Sequence, residues 1–356
     1  MMNFSEKTTR RVRNVVITLT IICMTPLCEK GRMLSGARSV NSLAGGELVC
    51  AIDLGNGMYG LETGLNYELM SRFAQDNHCN VRIIAAGKKD NYIDSLRQGK
   101  VDMVITRQGS SLADGEVDIL RTLDSSAVWA LRSDNDEHAR QFNRWISHIS
   151  GTEEYSRMKD RYAMSVNPYK RAEKGVRTRT ISPYDSLIRE YAASLGWDWR
   201  MLASVLYQES RFSISSRSSR GAQGLMQVMP STARYYGVEN LLDPQQNILA
   251  GTSHLKRLQN MFRKEGLEGE ELIKFTLAAY NAGEGRIIDC RNLAASRQID
   301  NMVWDETVKV IPLMREDSIL EDEAVKLGKF QGHETISYVE QVFSHYAAFC
   351  EICPSI

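Results

Sequence analysis

The chain has 356 residues, 43% of them hydrophobic and 25% charged, with 44 basic side chains against 44 acidic ones. That length suits two domains of roughly 100–200 residues, each able to bury its own core without a metal or a disulfide framework. The balanced charge excludes wholesale nucleic-acid binding, which needs a general positive field, and the near-average hydrophobic content excludes a disordered chain.

At the amino terminus Arg10, Arg11 and Arg13 precede an apolar run from Val15 to Leu27. At about 13 residues the run is short of the ~20 that span a bilayer and within the 7–15 of a signal h-region. Residues 1–28 therefore read as an export signal. Cys28 follows the run directly, as the lipidated cysteine does in bacterial lipoprotein signals, although Leu27 is larger than the small residue usual before it. Plain secretion and a retained anchor are the alternatives to lipid attachment at Cys28.

Five cysteines remain beyond Cys23 and Cys28, namely Cys50, Cys79, Cys290, Cys350 and Cys353. Their number is odd and their spacing fits no zinc site, so structural thiols are the simplest reading. Export permits disulfides, and Cys290 with Cys350 or Cys353 is the candidate pair.

Glu47 to Asp53 reads as a strand, closed by Gly55-Asn56-Gly57. Tyr67 to Asp76 has apolar residues at helical spacing, and Val81 to Ala86 returns to a strand pattern, which makes a β-α-β unit. A short helix is predicted over Asn91–Gln98, ended by Gly99. Strands follow at Val101–Thr106 and Val128–Leu131, then a helix from about Glu137 to His148.

Residues 45–165 resemble a periplasmic solute-binding domain in the Tyr67-Glu68-Leu69 helix, the Leu96-x-x-Gly99-x-x-Asp102 turn and the helices bearing Trp145 and Tyr155. Only about twenty residues separate Thr106 from Val128, too few for the second lobe such domains close on a ligand. A single lobe is expected, with a docking or spacing role and a retained ligand site as the alternative. Residues 166–182 carry five basic side chains against one acidic and no apolar periodicity, which marks a linker.

Ser182-Pro183-Tyr184-Asp185 has the form of a capping box with proline at the first helical position, so a helix should run from there to Leu195 and end at Gly196. Asp198 caps a second helix, in which Leu202, Val205, Leu206 and Glu209 share one face. A carboxyl on an apolar stripe, in the last turn of a helix, favours its protonated form, as a general acid requires. A solvated helix end is the bland alternative.

The next segment, Gly221-Ala222-Gln223-Gly224-Leu225-Met226-Gln227-Val228-Met229-Pro230, combines tight-turn glycines with an amide and a soft apolar side chain, Gln227 and Met229, suited to amidated sugars. Ala279-Tyr280-Asn281-Ala282-Gly283 closes an apolar helix and offers a second wall.

These residues resemble the lytic transglycosylases of the lysozyme superfamily, of the soluble-lytic-transglycosylase type. Glu209-Ser210, Gly224-Leu225-Met226-Gln227 with Met229-Pro230, Asn247-Ile248 with Gly251, Ala279-Tyr280-Asn281-Ala282-Gly283, and Glu334-Thr335 with Tyr338-Val339 occur in the family's order and at similar spacing. The match runs from Ser182 to the carboxyl terminus. With the solute-binding-like region ahead of it, the layout is similar to the family's membrane-bound members, with the first domain shortened.

The resemblance implies an α+β multidomain chain, with an amino-terminal α/β periplasmic-binding-protein-like lobe and a mostly α lysozyme-like domain over 183–356. It implies cleavage of the β-1,4 bond between N-acetylmuramic acid and N-acetylglucosamine to leave a 1,6-anhydro end, with Glu209 as acid and then base. Ser218, Gln227, Met229, Tyr280, Asn281 and Tyr338 would line the cleft. Tyr280 would hydrogen-bond near the reacting centre, Asn281 would brace the loop, and Ser210 would either orient Glu209 or cap its helix.

A hydrolytic muramidase on the same scaffold would need a second carboxylate, for which Asp243, Glu284 and Asp289 are the candidates. A non-catalytic cell-wall binding protein is the third reading. The six histidines are scattered, and no nucleotide or metal motif occurs, so no cofactor and no metal is expected. Expected partners are peptidoglycan strands, a membrane through a lipid anchor, and other cell-wall enzymes, with no nucleic acid. The expected location is the periplasm, on the outer membrane if Cys28 is lipidated.

Overall fold

The computed structural model describes residues 45–54, 60–85, 91–107, 117–120, 123, 127–134, 136–164, 168–169 and 179–354. The signal segment with Cys28, the Gly55-Asn56-Gly57 turn and most of the basic linker lie outside these residues.

The strands are β1 (Glu47–Asp53), β2 (Asn80–Ala85), β3 (Met103–Arg107), β4 (Val117–Ile119) and β5 (Ala127–Arg132). They form one sheet in the order β2-β1-β3-β5-β4. β1 is parallel to β2 and β3, whereas β5 runs antiparallel to β3 and β4. Helix α1 (Gly60–Asp76) makes the β1-to-β2 crossover, and α2 (Tyr92–Arg97) precedes β3. Asn91 caps α2 by accepting from the Asp94 amide, and Gly99 follows in the left-handed conformation.

Alternation along β3 and β5 splits their side chains between the two faces of the sheet. Met103, Ile105, Trp129 and Leu131 join the main core, while Val104, Val128 and Ala130 pack with Leu96 of α2 on the other face. Helices α3 (Asp136–Ile149) and α4 (Glu153–Met164) complete the main-core side. There Phe73 stacks on Phe142 at 3.9 Å, and the indoles of Trp129 and Trp145 donate to Asn66 and Asp76. Strand β4 was not anticipated, since three residues are too few to show a period, and α1 begins seven residues before the expected Tyr67.

The rest of the chain is helical: α5 (Asp185–Leu195), α6 (Trp199–Ser210), α7 (Pro230–Tyr235), α8 (Pro244–Lys264), α9 (Gly269–Ala282), α10 (Glu284–Ser296), α11 (Trp304–Thr307), two 3-10 segments (Val308–Arg315 and Asp317–Glu321) and α12 (His333–Ile352). The chain is thus mostly helical with one small mixed sheet. The α5 start is displaced from the expected capping box. Pro183 lies in the preceding turn, and the Asp185 carboxylate accepts from the Ile181 and Ser182 amides and from the Ser182 hydroxyl. Gly196 ends α5 in the left-handed conformation, and Asp198 caps α6 by accepting from the Arg200 amide, both as expected.

Helix α6 is the axis of this half. Met201 to Leu206 are all buried, packed against α5 on one side and α12 on the other. The Arg200 guanidinium pairs with Asp198 and donates to Cys353 O at the far end of α12. Close contacts join the sheet region to the helices. The Tyr162 and Tyr184 rings meet edge-on at 6.2 Å, and a Cβ on Gly64 would lie 2.5 Å from the Tyr184 hydroxyl. Only glycine lets α1 come this near.

All five cysteines among the described residues are free thiols. The pairing of Cys290 with Cys350 or Cys353 is therefore not formed. Cys290 is buried on α10, which packs on α9, α11 and the first 3-10 segment, whereas Cys350 and Cys353 lie at the end of α12, which packs on α6, α9 and the same 3-10 segment. Tyr169, within the expected linker, packs edge-on to Tyr207 and tilts against Phe349.

Candidate active site

Glu209 stands in the last turn of α6 on the face it shares with Leu202, Val205 and Leu206, all fully buried. Its carboxyl is enclosed, and burial pushes its pKa up to about 7, against a smaller opposing effect from a hydrogen bond with Tyr338. Tyr338, in the second turn of α12, donates its hydroxyl to Glu209 Oε1 at 2.6 Å. No charged group among the described residues shifts this carboxyl. Burial and the Glu209 charge both raise the Tyr338 phenol well above its ordinary range, so it remains a donor.

The chain leaves α6 through Arg211 and Phe212, both left-handed, at φ of 53° and 62°. Consecutive non-glycine residues in this region cost energy, and the fully buried Phe212 ring holds them there. The turn carries the backbone away at once, leaving the Glu209 carboxyl at the helix end.

Above it lies the glycine-rich loop. Gln223 and Val228 exchange both backbone hydrogen bonds at 3.0 Å, and the Gly224 amide donates to Ser216 O at 2.9 Å. Gly224 has φ of +77°, and a Cβ there would lie 2.1 Å from Asn247 Nδ2 and 2.5 Å from Leu241 O. Asn247 of α8, fully enclosed, accepts from the Met226 amide at 2.8 Å and donates to Gln223 O and Leu241 O at 2.9 Å each. One amide side chain thus satisfies two backbone groups of the loop and one of the turn before α8.

The remaining expected residues fall around this centre in different ways. Ser210 does not touch the Glu209 carboxyl. Its hydroxyl lies 2.8 Å from Leu225 O and 3.1 Å from Leu206 O, so it ties the end of α6 to the loop. The reason is helical geometry, which points adjacent side chains about 100° apart.

Gln227 spends its amide nitrogen on the loop, at 3.1 Å from Ser216 O and 2.9 Å from Gly224 O. Ser218 is exposed, and its hydroxyl accepts from the Ala222 amide to close the turn. Met229 is exposed at the start of α7.

Tyr280, at the end of α9, donates to Met226 O at 2.8 Å, and the Glu209 charge helps burial raise its phenol. Asn281, expected to brace the loop, accepts from Thr335 at 2.8 Å and so ties α9 to α12 instead. Tyr338, rather than Tyr280, holds the acid directly. Sequence reasoning did not assign a role to Asn247, although its place in the Asn-Ile-x-x-Gly motif was the available signal.

The three candidates for a second carboxylate are engaged elsewhere. Asp243 caps α8 and accepts from the Tyr67 hydroxyl, Asp289 accepts from the Leu327 amide, and Glu284 pairs with Arg257 at 2.7 Å. Burial opposes ionisation of Glu284, but the Arg257 hydrogen bond and charge hold its pKa below the ordinary value. Among the described residues no cluster of His, Cys, Asp or Glu could hold a metal ion, and no helix is long and apolar enough to cross a membrane.

The model of the family described as Transglycosylase SLT domain matches residues 186–303. Those residues are a transglycosylase SLT domain. The matched SLT segment carries Glu209, the glycine-rich loop, Asn247 and Tyr280, while Tyr338 comes from α12 beyond it.

Relatives named membrane-bound lytic murein transglycosylase F are similar beyond the SLT segment. That of Desulfosudis oleivorans is 31% identical over 62% of this chain and 48% of its own length. That of Shewanella frigidimarina is 34% identical over 47% of this chain and 34% of its own, and that of Photobacterium profundum 26% identical over 75% and 51%. The chain thus spans about half, or less, of these curated relatives.

Among solved structures, an inactive mutant of the lytic transglycosylase Slt from Pseudomonas aeruginosa matches 62% of this chain and 34% of its own, at 20% identity and TM-score 0.35. The 70 kDa soluble lytic transglycosylase of Escherichia coli matches 83% and 44%, at 20% identity and TM-score 0.36.

Proposed function

We propose that this chain is a peptidoglycan lytic transglycosylase that breaks the bond between N-acetylmuramic acid and N-acetylglucosamine. The observation that carries the reading is Glu209, a buried carboxyl with its pKa pushed up to about 7 and one tyrosine partner. Such a group is protonated often enough near neutral pH to act as an acid, and its conjugate base is strong enough to take the proton back.

The Glu209 carboxyl donates its proton to the glycosidic oxygen as the bond to the muramoyl anomeric carbon breaks, and N-acetylglucosamine leaves with a free 4-hydroxyl. The muramoyl 6-hydroxyl then closes on that carbon, its proton passes to Glu209, and the acid is restored. No water is consumed, and the product is a 1,6-anhydro end. The muramoyl N-acetyl group assists at the anomeric carbon, a feature carried over from the resemblance.

Tyr338 holds the carboxylate during the interval in which it is charged, while Tyr280 and Asn247 fix the Met226 backbone beside it. Gln227, Met229, Ser218 and Asn281 line the cleft, and Ser210 keeps loop and acid in register. Hydrolysis ordinarily needs a second carboxylate to position water, and the occupied states of Asp243, Glu284 and Asp289 weigh against it.

Mass analysis of the muropeptides released from purified peptidoglycan tests the reading: the expected products are lighter by one water than the hydrolysed ones. Reducing ends would favour the muramidase, and no release at all would leave a binding protein.

The division into a sheet domain (45–165), a linker (166–182) and a catalytic domain (183–356) belongs to the same proposal. The sheet region reads as one lobe of a periplasmic-binding-protein-like fold, supported by its parallel β1-α1-β2 unit and its two-sided burial. Export to the periplasm and lipid attachment at Cys28 to the outer membrane complete it. Labelled fatty acid should enter the expressed chain and be lost in Cys28→Ala; label in neither would leave plain secretion.

A further inference from the structure

Tyr235 ends α7, directly downstream of the loop beside Glu209, and is 76% exposed, more than any other large hydrophobic side chain among the described residues. A single exposed aromatic ring is ordinary on a protein surface. The neighbours of this one are not. Its ring meets that of Tyr236 edge-on at 4.9 Å and 89°, the Tyr236 ring meets His254 at 6.2 Å, and His254 meets Tyr280 at 5.6 Å. The series ends on the tyrosine that donates to Met226 O beside the acid.

Charged side chains hold Tyr236 in place. Arg257 hydrogen-bonds its hydroxyl and is itself paired with Glu284, while His254 Nδ1 lies 3.5 Å away. Burial raises the Tyr236 phenol and lowers the His254 imidazolium, so both stay neutral near pH 7. The Arg257 charge is taken up by Glu284. The ledge therefore presents ring faces and hydroxyls with its central charges cancelled, and Met229 exposes a flexible apolar side chain at the other end of the same short helix.

We infer that Tyr235, backed by Tyr236, forms an outlying saccharide subsite, with its ring against the apolar face of a pyranose further along the glycan than the bond being broken. The inference rests on the reading of the cleft as a glycan groove. One face of a pyranose presents mainly C–H groups, and packing it on a preorganised ring buries apolar area at little cost in side-chain entropy. A neutral sugar suits the rings themselves, since Arg257 behind them is paired with Glu284, whereas the exposed Arg234 beside Tyr235 is the cation a charged stem peptide would meet.

The test compares the full-length protein with Tyr235→Ala and Tyr235→Trp on peptide-free glycan strands of increasing length and on the same strands bearing stem peptides. The ratio of kcat/KM for Tyr235→Ala to that of the parent should fall by about fivefold from the shortest to the longest peptide-free strand, carried by KM, and Tyr235→Trp should restore it. A ratio independent of length would overturn the subsite. A fall seen only with peptide-bearing strands would overturn it in favour of a stem-peptide surface.

If the parent turns over no strand, the lytic reading fails by itself. Binding of peptide-free strands to Glu209→Gln, with and without Tyr235→Ala, then still decides the ledge: equal affinity would refute it.

Discussion

The Tyr338 hydroxyl donates to Glu209 Oε1 at 2.6 Å across 129 residues of sequence, joining the last helix to the end of α6. A hydrogen bond to the charged form favours that form, so Tyr338 holds the Glu209 pKa below the value burial alone would impose. In Tyr338→Phe the carboxyl should hold its proton to higher pH. The alkaline limb of the kcat/KM profile should move upward, while the rate at the optimum falls about tenfold as the carboxyl loses its anchor. An alkaline limb that stays in place or moves down would contradict the assignment.

Glu209→Gln should abolish muropeptide release and make the protein more stable. The native carboxyl keeps its proton up to about pH 7, against an ordinary 4.5, so between those values the folded state binds more protons than the unfolded one. Stability therefore falls as pH rises through that window and stays low above it. The glutamine variant has no such loss. Its unfolding free energy should match the parent below pH 4 and exceed it above pH 7 by up to about 3 kcal/mol. Parallel stability curves for the two proteins across pH 4–8 would show that burial does not raise this acid.

Much of the site was legible locally. The apolar stripe through Leu202, Val205 and Leu206 placed Glu209 on a buried face, and Gly196 and Asp198 marked the turn before it, because caps and periodicity act within one or two turns. What was not legible was long-range or sub-period. The choice of Tyr338 over Tyr280 as the partner of the acid depends on how α12 crosses α6. The role of Ser210 depends on where the Leu225 carbonyl falls, and the separation of Cys290 from Cys350 on which helices pack together. Strand β4 is too short to carry a pattern, and the approach of α1 to Tyr184 is set by the absence of a side chain at Gly64.

Asn247 offers a sharper probe of the loop than the residues that face the cleft. Truncation to alanine leaves the Met226 amide and the Leu241 carbonyl without their partner inside the protein and removes one of the two donors to Gln223 O, which keeps the Val228 amide. The expected cost is about 3 kcal/mol of stability, and displacement of the loop should lower turnover a further 10- to 100-fold in protein that remains folded. Far-ultraviolet dichroism fixes the folded fraction against which turnover is scaled. Wild-type turnover per folded molecule would mean that the loop holds its place without Asn247.

Tyr67 and Asp243 join the sheet region to α8. The Tyr67 hydroxyl donates to Asp243 Oδ2 at 2.8 Å, while Oδ1 of the same carboxylate accepts from the Gln246 amide at 2.8 Å and caps α8. That helix carries Asn247 one turn later, so the contact reaches the loop through a single rigid element. Tyr67→Phe should cost about 1 kcal/mol, a fall in Tm of about 2 °C for a unit of this size. Asp243→Ala should cost about 2 kcal/mol, since it also removes the cap and strands the phenol. In the double variant the stranded hydroxyl is gone, so the combined loss should be smaller than the two single losses together by at least about 0.5 kcal/mol. Strictly additive losses would show that the two side chains do not act on one another and that the sheet region is held to α8 by packing alone.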